Sequence, residues 1–374
     1  MTHARTASRF DLWLLGSVLA LVSVGVVMVY SASAVLAMDR FGDPAYFLKR
    51  QVLYAAAGLA VLVGFSRMDY RLWRKAAYPL LGLSLLSLAA VLMPGVGAEV
   101  GGARRWFHLG GVSVQPVEGA KFSLIVFLAY FLAVKGERIR DFRFGFFPAI
   151  GLAAALVVPV ALQPDAGSAV LLMGVAFLLL FLAGARPLHL GASAAAGLPL
   201  LVAFLLSAGY RRRRLLTFLD PWADPEGSGF QMVQSYLSLA QGGWAGEGLM
   251  QGKAKLHFLP APHTDFIFAV LGEELGLLGA GLILAVFGLF LWRISRAATR
   301  CQDPFGAYLA AGFAALLGLQ TLGNLGVVSG LLPTKGLPLP FFSAGGSALI
   351  ASMAAVGVLL SVAATQRLGR DRGP

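Results

Sequence analysis

LWLLGSVLALVSVGVVMVYSASAV, residues 12–35, decides the fold. It holds no charged residue and is long enough to cross a bilayer as a helix, which needs about 20 apolar residues. It is too long for the core of a signal peptide, and no small-residue cleavage site follows. It therefore reads as a retained membrane span. Nine further apolar runs follow it: Val52–Phe65, Ala76–Met93, Val117–Val134, Phe147–Leu162, Ser168–Ala183, Leu188–Leu206, Phe266–Trp292, Phe305–Leu331 and Ala344–Ala364. The spacing predicts an all-α integral membrane protein, a single polytopic domain over residues 1–374 built as a bundle of ten transmembrane helices.

Composition agrees with this reading. Of 374 residues, 58% are hydrophobic and only 13% charged, against roughly 25% charged in a soluble domain. Mean hydropathy is +0.76. A soluble enzyme cannot hide that much apolar surface, and disorder needs the opposite composition. One cysteine, Cys301, excludes a disulfide scaffold.

The charge of +12 points to membrane topology and not to nucleic acid. Cytoplasmic loops of membrane proteins collect Lys and Arg. With the N-terminus inside, the inner segments hold 17 basic residues, against six in the short outer loops. This arrangement puts both termini in the cytoplasm. The exception is the stretch of about residues 207–264 between the seventh and eighth spans, predicted to lie outside. Loops of that length usually carry function or are disordered. This one holds Trp222, Phe230, Tyr236, Trp244 and Phe258, and Met232–Leu239 has the pattern of a short interfacial helix. It reads as a folded extracytoplasmic lid.

Charge inside a span costs several kcal/mol, and usually marks a functional or paired site. Glu118 and Lys121 lie three residues apart in QPVEGAK (115–121), on one helix face. They are either a buried pair that fixes packing or one wall of a polar cavity. Asp265 opens the eighth span in HTDFIFAVLGEELG (263–276). A carboxylate there can simply sit at the positive end of the helix dipole, or it can do chemistry. Glu273 and Glu274 are roughly 12–14 Å deeper by the helical rise, so at least one must face the bundle interior or a wet cavity. Further outer clusters are Arg104-Arg105-Trp106, Gln163-Pro164-Asp165, Arg211–Arg214, and PTKGLPLPFFSAGGSA (333–348), with Lys335, Ser343 and Ser347. Arg and Lys suit phosphate, and glycine-rich backbone adds amide donors. Four such loops point to an anionic, membrane-associated ligand. No zinc spacing, Walker loop or dinucleotide fingerprint is present in its needed context.

In this order, these motifs resemble the SEDS family (shape, elongation, division, sporulation). The matching stretches run from VMVYSAS (27–33) through ARRW (103–106), QPVEGAK, QPDAGSA (163–169), YRRRRLLTFLDPW (210–222), GFQMVQS (229–235) and HTDFIFAVLGEELG to NLGVVSGLLPTKGLPLPFFSAGGSA (324–348). The chain departs from the family pattern at Val117, Gly119, Ala344 and Ala261, the last where the family usually carries a loop glutamate. PTKGLPLP is most similar to the division member, less so to the elongation member.

The resemblance implies a glycosyltransferase that polymerises lipid II into peptidoglycan at the outer face of the bacterial inner membrane. Its expected catalytic carboxylate is Asp265. Glu118, Lys121, Arg105, Trp106, Arg213, Lys335, Ser343 and Ser347 are expected at the substrate; of these Lys121, Arg105, Arg213 and Lys335 would meet the leaving diphosphate. No resident metal is expected, although a divalent cation is possible. Implied partners are the lipid-linked glycan strand, a class B penicillin-binding protein (an FtsI-like transpeptidase) and other division proteins, with location at the septum. The small residues of the ninth span, Gly312 and Ala315 among them, offer either a docking face for that partner's helix or a contact inside the bundle. A lipid II flippase and a non-catalytic scaffold are the alternatives. Polar groups gathered at the outer end disfavour the flippase, and a scaffold would leave Asp265 without a purpose beyond capping.

Overall fold

The structure, a computed structural model, describes residues 11–100, 102–110, 112–334 and 336–370. Among the described residues, nine helices are long and apolar enough to span a membrane, and the chain is a multi-pass membrane protein. They are α1 (Leu12–Phe41), α2 (Tyr46–Arg67), α3 (Leu72–Leu92), α4 (Pro116–Lys135), α5 (Phe147–Leu162, lengthened by the turn Phe142–Phe146), α7 (Pro187–Leu206), α10 (Ile267–Arg300), α11 (Pro304–Val328) and α12 (Gly346–Arg370). A tenth apolar helix, α6 (Ala166–Leu182), has 17 residues. The second span is longer than Val52–Phe65, because Tyr46–Gln51 continue it at its N-terminal end.

Local chemistry sets the boundaries. Asp11, Asp165 and Asp303 cap α1, α6 and α11, each side chain accepting a backbone N–H of the first turn. Proline at the first turn opens α4, α7 and α11, where its missing N–H costs nothing. Gly42 ends α1 with φ 67, a conformation glycine adopts without strain.

α4 is the most enclosed helix and packs against α3, α6 and α11. α7 has no buried residue at all. The small residues of α11 turn inward: a Cβ on Gly312 would press on Ile125 and Leu179, and Ala310 and Ala315 are buried. The stripe seals the bundle and leaves no docking face at Gly312 and Ala315. At the end of the bundle opposite the site described below, Asp303 pairs with Arg74 and accepts from the Tyr70 hydroxyl at 3.1 Å, and Arg293 pairs with Asp11.

Three features depart from a plain ten-helix reading. The loop between α3 and α4 is a three-stranded antiparallel sheet of β1 (Ala98–Val100), β2 (Ala103–Leu109) and β3 (Val112–Val114). Gly102 and Gly110, in its two turns, have φ 74 and 55, a left-handed conformation that glycine adopts without strain. The segment between α7 and α10 holds two helices, α8 (Gly209–Leu219) and α9 (Phe230–Gln241). The arginine run therefore lies on a helix.

The third departure is in α10, which is not one continuous span. Gly276 has φ 65 and ψ −170, so the helix breaks there. Residues 243–248 fill the gap. The amides of Glu247 and Gly248 donate to the carbonyls of Glu273 and Glu274 (3.0 and 3.1 Å), and those of Leu277 and Leu278 donate to the carbonyls of Gly243 and Trp244 (2.9 and 3.1 Å). Broken helices survive at membrane depth only where the freed backbone groups find such partners.

Candidate functional site

Asp265 lies just before α10, and the cap position of that helix is Phe266, with no side-chain cap bond. The carboxylate is therefore not spent on helix capping. Its backbone is held instead. The carbonyls of His263, Thr264 and Asp265 each accept one bond, from the Ala344 amide (2.9 Å), the Ser343 hydroxyl (2.7 Å) and the Asn324 side-chain amide (2.8 Å). Asn324 also donates to the Leu337 carbonyl (2.8 Å), and Gln320, one turn earlier on α11, donates to that of Pro338 (2.9 Å). One face of α11 thus sets the height of both loops. Among the described residues, nothing hydrogen-bonds the Asp265 carboxylate itself.

That carboxylate stands 3.4 Å from where a Cβ on Gly336 would be. Gly336 lines a cavity with about 620 Å³ of empty space, its open mouth included. The charged lining is Arg105 from β2, Asp165 from the start of α6, and Arg211 and Arg214 from α8. Arg105 is fixed by two carbonyls, Nε to Gln163 (2.8 Å) and NH2 to Pro164 (2.7 Å). These bonds also fix the loop that presents Asp165, whose Oδ1 accepts from the Ser168 amide at 3.0 Å. Burial pushes the Asp265 carboxyl up to about 6, the Asp165 charge adds to the rise, and Arg214 opposes it. A carboxylate so poised is half-charged at about pH 6 and mostly ionised at neutral pH, in the range that suits a general base. His263 goes the other way: burial and Arg40 lower it to about 4, so it is a neutral packing group against Phe47 (4.4 Å between rings).

The remaining expected residues divide. Arg105 lines the cavity. Trp106 is half-buried in β2 and is not among the lining residues. Arg213 is exposed and is absent from the lining; Arg211 and Arg214, three residues apart, supply the α8 charge. Ser343 and Ser347 are structural ties in this geometry. Ser343 also accepts the Leu339 amide (2.8 Å), while Ser347 accepts the Gln115 amide (3.2 Å) and donates to the Ser113 carbonyl (3.1 Å). Lys335 lies outside the described residues.

Glu118 and Lys121 pair at 2.7 Å, both buried. They line a second, smaller hollow between α4, α11 and α12 with Gln320 and Ser352, separate from the Asp265 cavity. Glu273 and Glu274 are both fully buried and both partnered. Sequence reasoning placed Asp165, Arg211 and Arg214 in outer polar clusters without nominating them at the substrate, and it passed over Asn324. A polar Asn inside an apolar span was the available signal for the last.

Among the described residues, no group of three or more His, Cys, Asp or Glu stands close enough to hold a metal ion. One carboxylate, Asp165, lines the cavity, and Asp265 stands next to its lining residue Gly336.

The cell cycle protein family model FTSW_RODA_SPOVE matches residues 12–368. The chain is 48% identical to a probable peptidoglycan glycosyltransferase FtsW of Geobacter metallireducens, over 96% of each chain. It is 42% identical to stage V sporulation protein E of Bacillus subtilis, over 98% of this chain and 100% of that one. Among solved structures it is similar to one described as "Structural coordination of polymerization and crosslinking by a peptidoglycan synthase complex", with TM-score 0.78, 36% identity and coverage of 96% and 98%. It is also similar to the rod shape determining protein RodA of Thermus thermophilus, with TM-score 0.70, 32% identity and 98% of each chain covered.

Proposed function

The chain belongs to the FtsW/RodA/SpoVE family of cell cycle proteins and is a peptidoglycan glycosyltransferase, and from that premise we propose that it polymerises lipid II with Asp265 as general base. The observation that carries this reading is a carboxylate without a hydrogen-bond partner among the described residues, raised to about 6, beside a cavity lined by three arginines.

The chemistry follows from the charges. The 4-hydroxyl of an incoming lipid II attacks the anomeric carbon of the growing strand. The new C–O bond forms as the bond to the polyprenyl diphosphate breaks. The hydroxyl proton passes to Asp265, and the diphosphate leaves with the electron pair. Preorganised cations where that charge develops supply the main electrostatic stabilisation; Arg105, Arg211 and Arg214 are the residues in place. A divalent cation sharing this work would arrive with the diphosphate, since magnesium usually takes substrate phosphates plus one or two carboxylates. Asp165 and Asp265 are the carboxylates at hand.

The site belongs at the outer face of the inner membrane, with both termini cytoplasmic, because basic residues collect at the other end. The division role and the septal location follow the relatives named FtsW. The partner proposed is a class B penicillin-binding transpeptidase, in line with a structural relative that is part of a synthase coupling polymerisation to crosslinking. A flippase needs a polar path through the whole depth. Here the buried charges of α4 and α10 are paired, Glu118 with Lys121 and Glu274 with Lys255.

The test is the purified chain given labelled lipid II, alone and with its transpeptidase. Glycan strands are expected. Transfer of unchanged lipid II across a bilayer with no strands would favour the transporter.

A further inference from the structure

The half-helix before the break in α10, residues 267–275, begins two residues after Asp265. Whatever fixes the half-helix fixes the carboxylate. Its far end is not continued by helical hydrogen bonds, because Gly276 interrupts them. Two buried carboxylates take over. Glu273 accepts from the amides of Lys253 (2.6 Å) and Ala254 (3.1 Å). Glu274 accepts from the Met250 amide (3.0 Å), from Lys255 Nζ (2.7 Å) and from the Ser31 hydroxyl on α1 (2.6 Å). Lys255 Nζ in turn reaches Ser31 Oγ at 3.3 Å. Glu274, Lys255 and Ser31 are all buried.

We propose that Glu274, Lys255 and Ser31 are positioning residues for Asp265, a three-way tie that sets the height of the half-helix against α1. A buried ion pair is weak as a source of stability, since well-packed apolar residues of the same volume do as well or better. What it supplies is a single register. Apolar packing alone would let a short, two-turn half-helix slide or rotate. The charge tie, made from three separate chain segments, admits one arrangement. Misplacing a catalytic group by about 1 Å costs on the order of 10²-fold, so the tie acts on turnover through Asp265 without touching substrate. The same tie holds residues 250–255, so displacing that segment displaces the half-helix with it. This inference rests on Asp265 being the base.

The experiment compares Glu274→Gln, Lys255→Met, the two together, Ser31→Ala and Asp265→Asn, using purified protein and labelled lipid II. Each single change at 274 or 255 strands one buried charge, and folded yield should fall. The double variant removes both charges and should recover yield. Its turnover should stay at least about tenfold down, with the apparent KM for lipid II within about twofold of wild type, because positioning acts at the chemical step. Amide exchange across 267–275 should rise. Ser31→Ala keeps the ion pair and removes only the α1 contact; it should fold and lose turnover in the same direction. Wild-type turnover in either the folded double variant or Ser31→Ala overturns the proposal and leaves the cluster a packing device. Asp265→Asn separates the two readings: if that variant still polymerises, the assignment of Asp265 as the base has failed, whatever the Glu274, Lys255 and Ser31 variants do.

Discussion

Asn324 holds the Asp265 backbone: its side-chain amide donates to the Asp265 carbonyl at 2.8 Å and, from the same nitrogen, to the Leu337 carbonyl at 2.8 Å. One side chain in the interior of α11 thus joins the acidic loop to the loop that carries Gly336. Asn324→Leu keeps the γ-branched shape and removes both donated bonds. Each carbonyl left unpaired costs about 1–3 kcal/mol. We expect a folded but less stable protein with turnover reduced by more than about tenfold, read by thermal unfolding and strand synthesis. Unchanged turnover would show that the clamp does not set the carboxylate.

The pH profile follows from the raised Asp265 carboxyl. A base must be ionised, so activity should rise with pH through about 6 and fall away below it. Asp165 raises that value by its charge. Asp165→Asn keeps the helix cap and removes the charge. The acid limb should then move to lower pH, with the sign opposite to that of removing an arginine. Arg214→Gln should move it to higher pH. A limb that stays put in both variants would separate Asp165 and Arg214 from the reacting carboxylate.

The α8 arginines supply a comparison within one helix. Arg211 and Arg214 line the cavity, and Arg213 is exposed away from it. Arg214→Gln should lower strand synthesis at least about tenfold, in the range of removing one charged stabiliser. Arg213→Gln should stay within about twofold, because Arg213 is not part of the cavity lining. Equal losses at the two positions would place the leaving group elsewhere.

Glu118 and Lys121 pair at 2.7 Å inside their own hollow. Removing one partner leaves a buried charge and should cost about 3–5 kcal/mol. Glu118→Gln with Lys121→Met together should restore the folded yield that each single change loses. If activity returns with yield, the pair is a packing device; if it does not, substrate reaches the second hollow.

The helices were legible because an uncharged run of twenty or more residues has few other uses. The edges were not: Tyr46–Gln51 extend α2 although Lys49 and Arg50 interrupt its hydropathy. The sheet between α3 and α4 was written in two Gly-Gly pairs nine residues apart, but short strands carrying Arg104 and Arg105 lack an apolar alternation. The break in α10 was hidden because Gly276 resembles any other small residue of a span, and only the approach of residues 243–248 gives it a reason. Asp265 stood out as a charge at a span boundary. That Asp165 and Arg214 stand near it was not legible, since only the fold brings the start of α6 and the arginines of α8 to one cavity. Ser343 and Ser347 looked like ligand hydroxyls in the sequence, and the fold uses both on backbone.

Asp265→Asn tests the central claim most directly. The change keeps the size of the side chain and the backbone bonds from Ala344, Ser343 and Asn324 while abolishing the charge. With purified protein, its transpeptidase and labelled lipid II, we expect strand synthesis to fall by at least about 10²-fold, with unfolding temperature and yield near wild type. Strand synthesis close to wild type in the folded variant would contradict the assignment of Asp265 as the base.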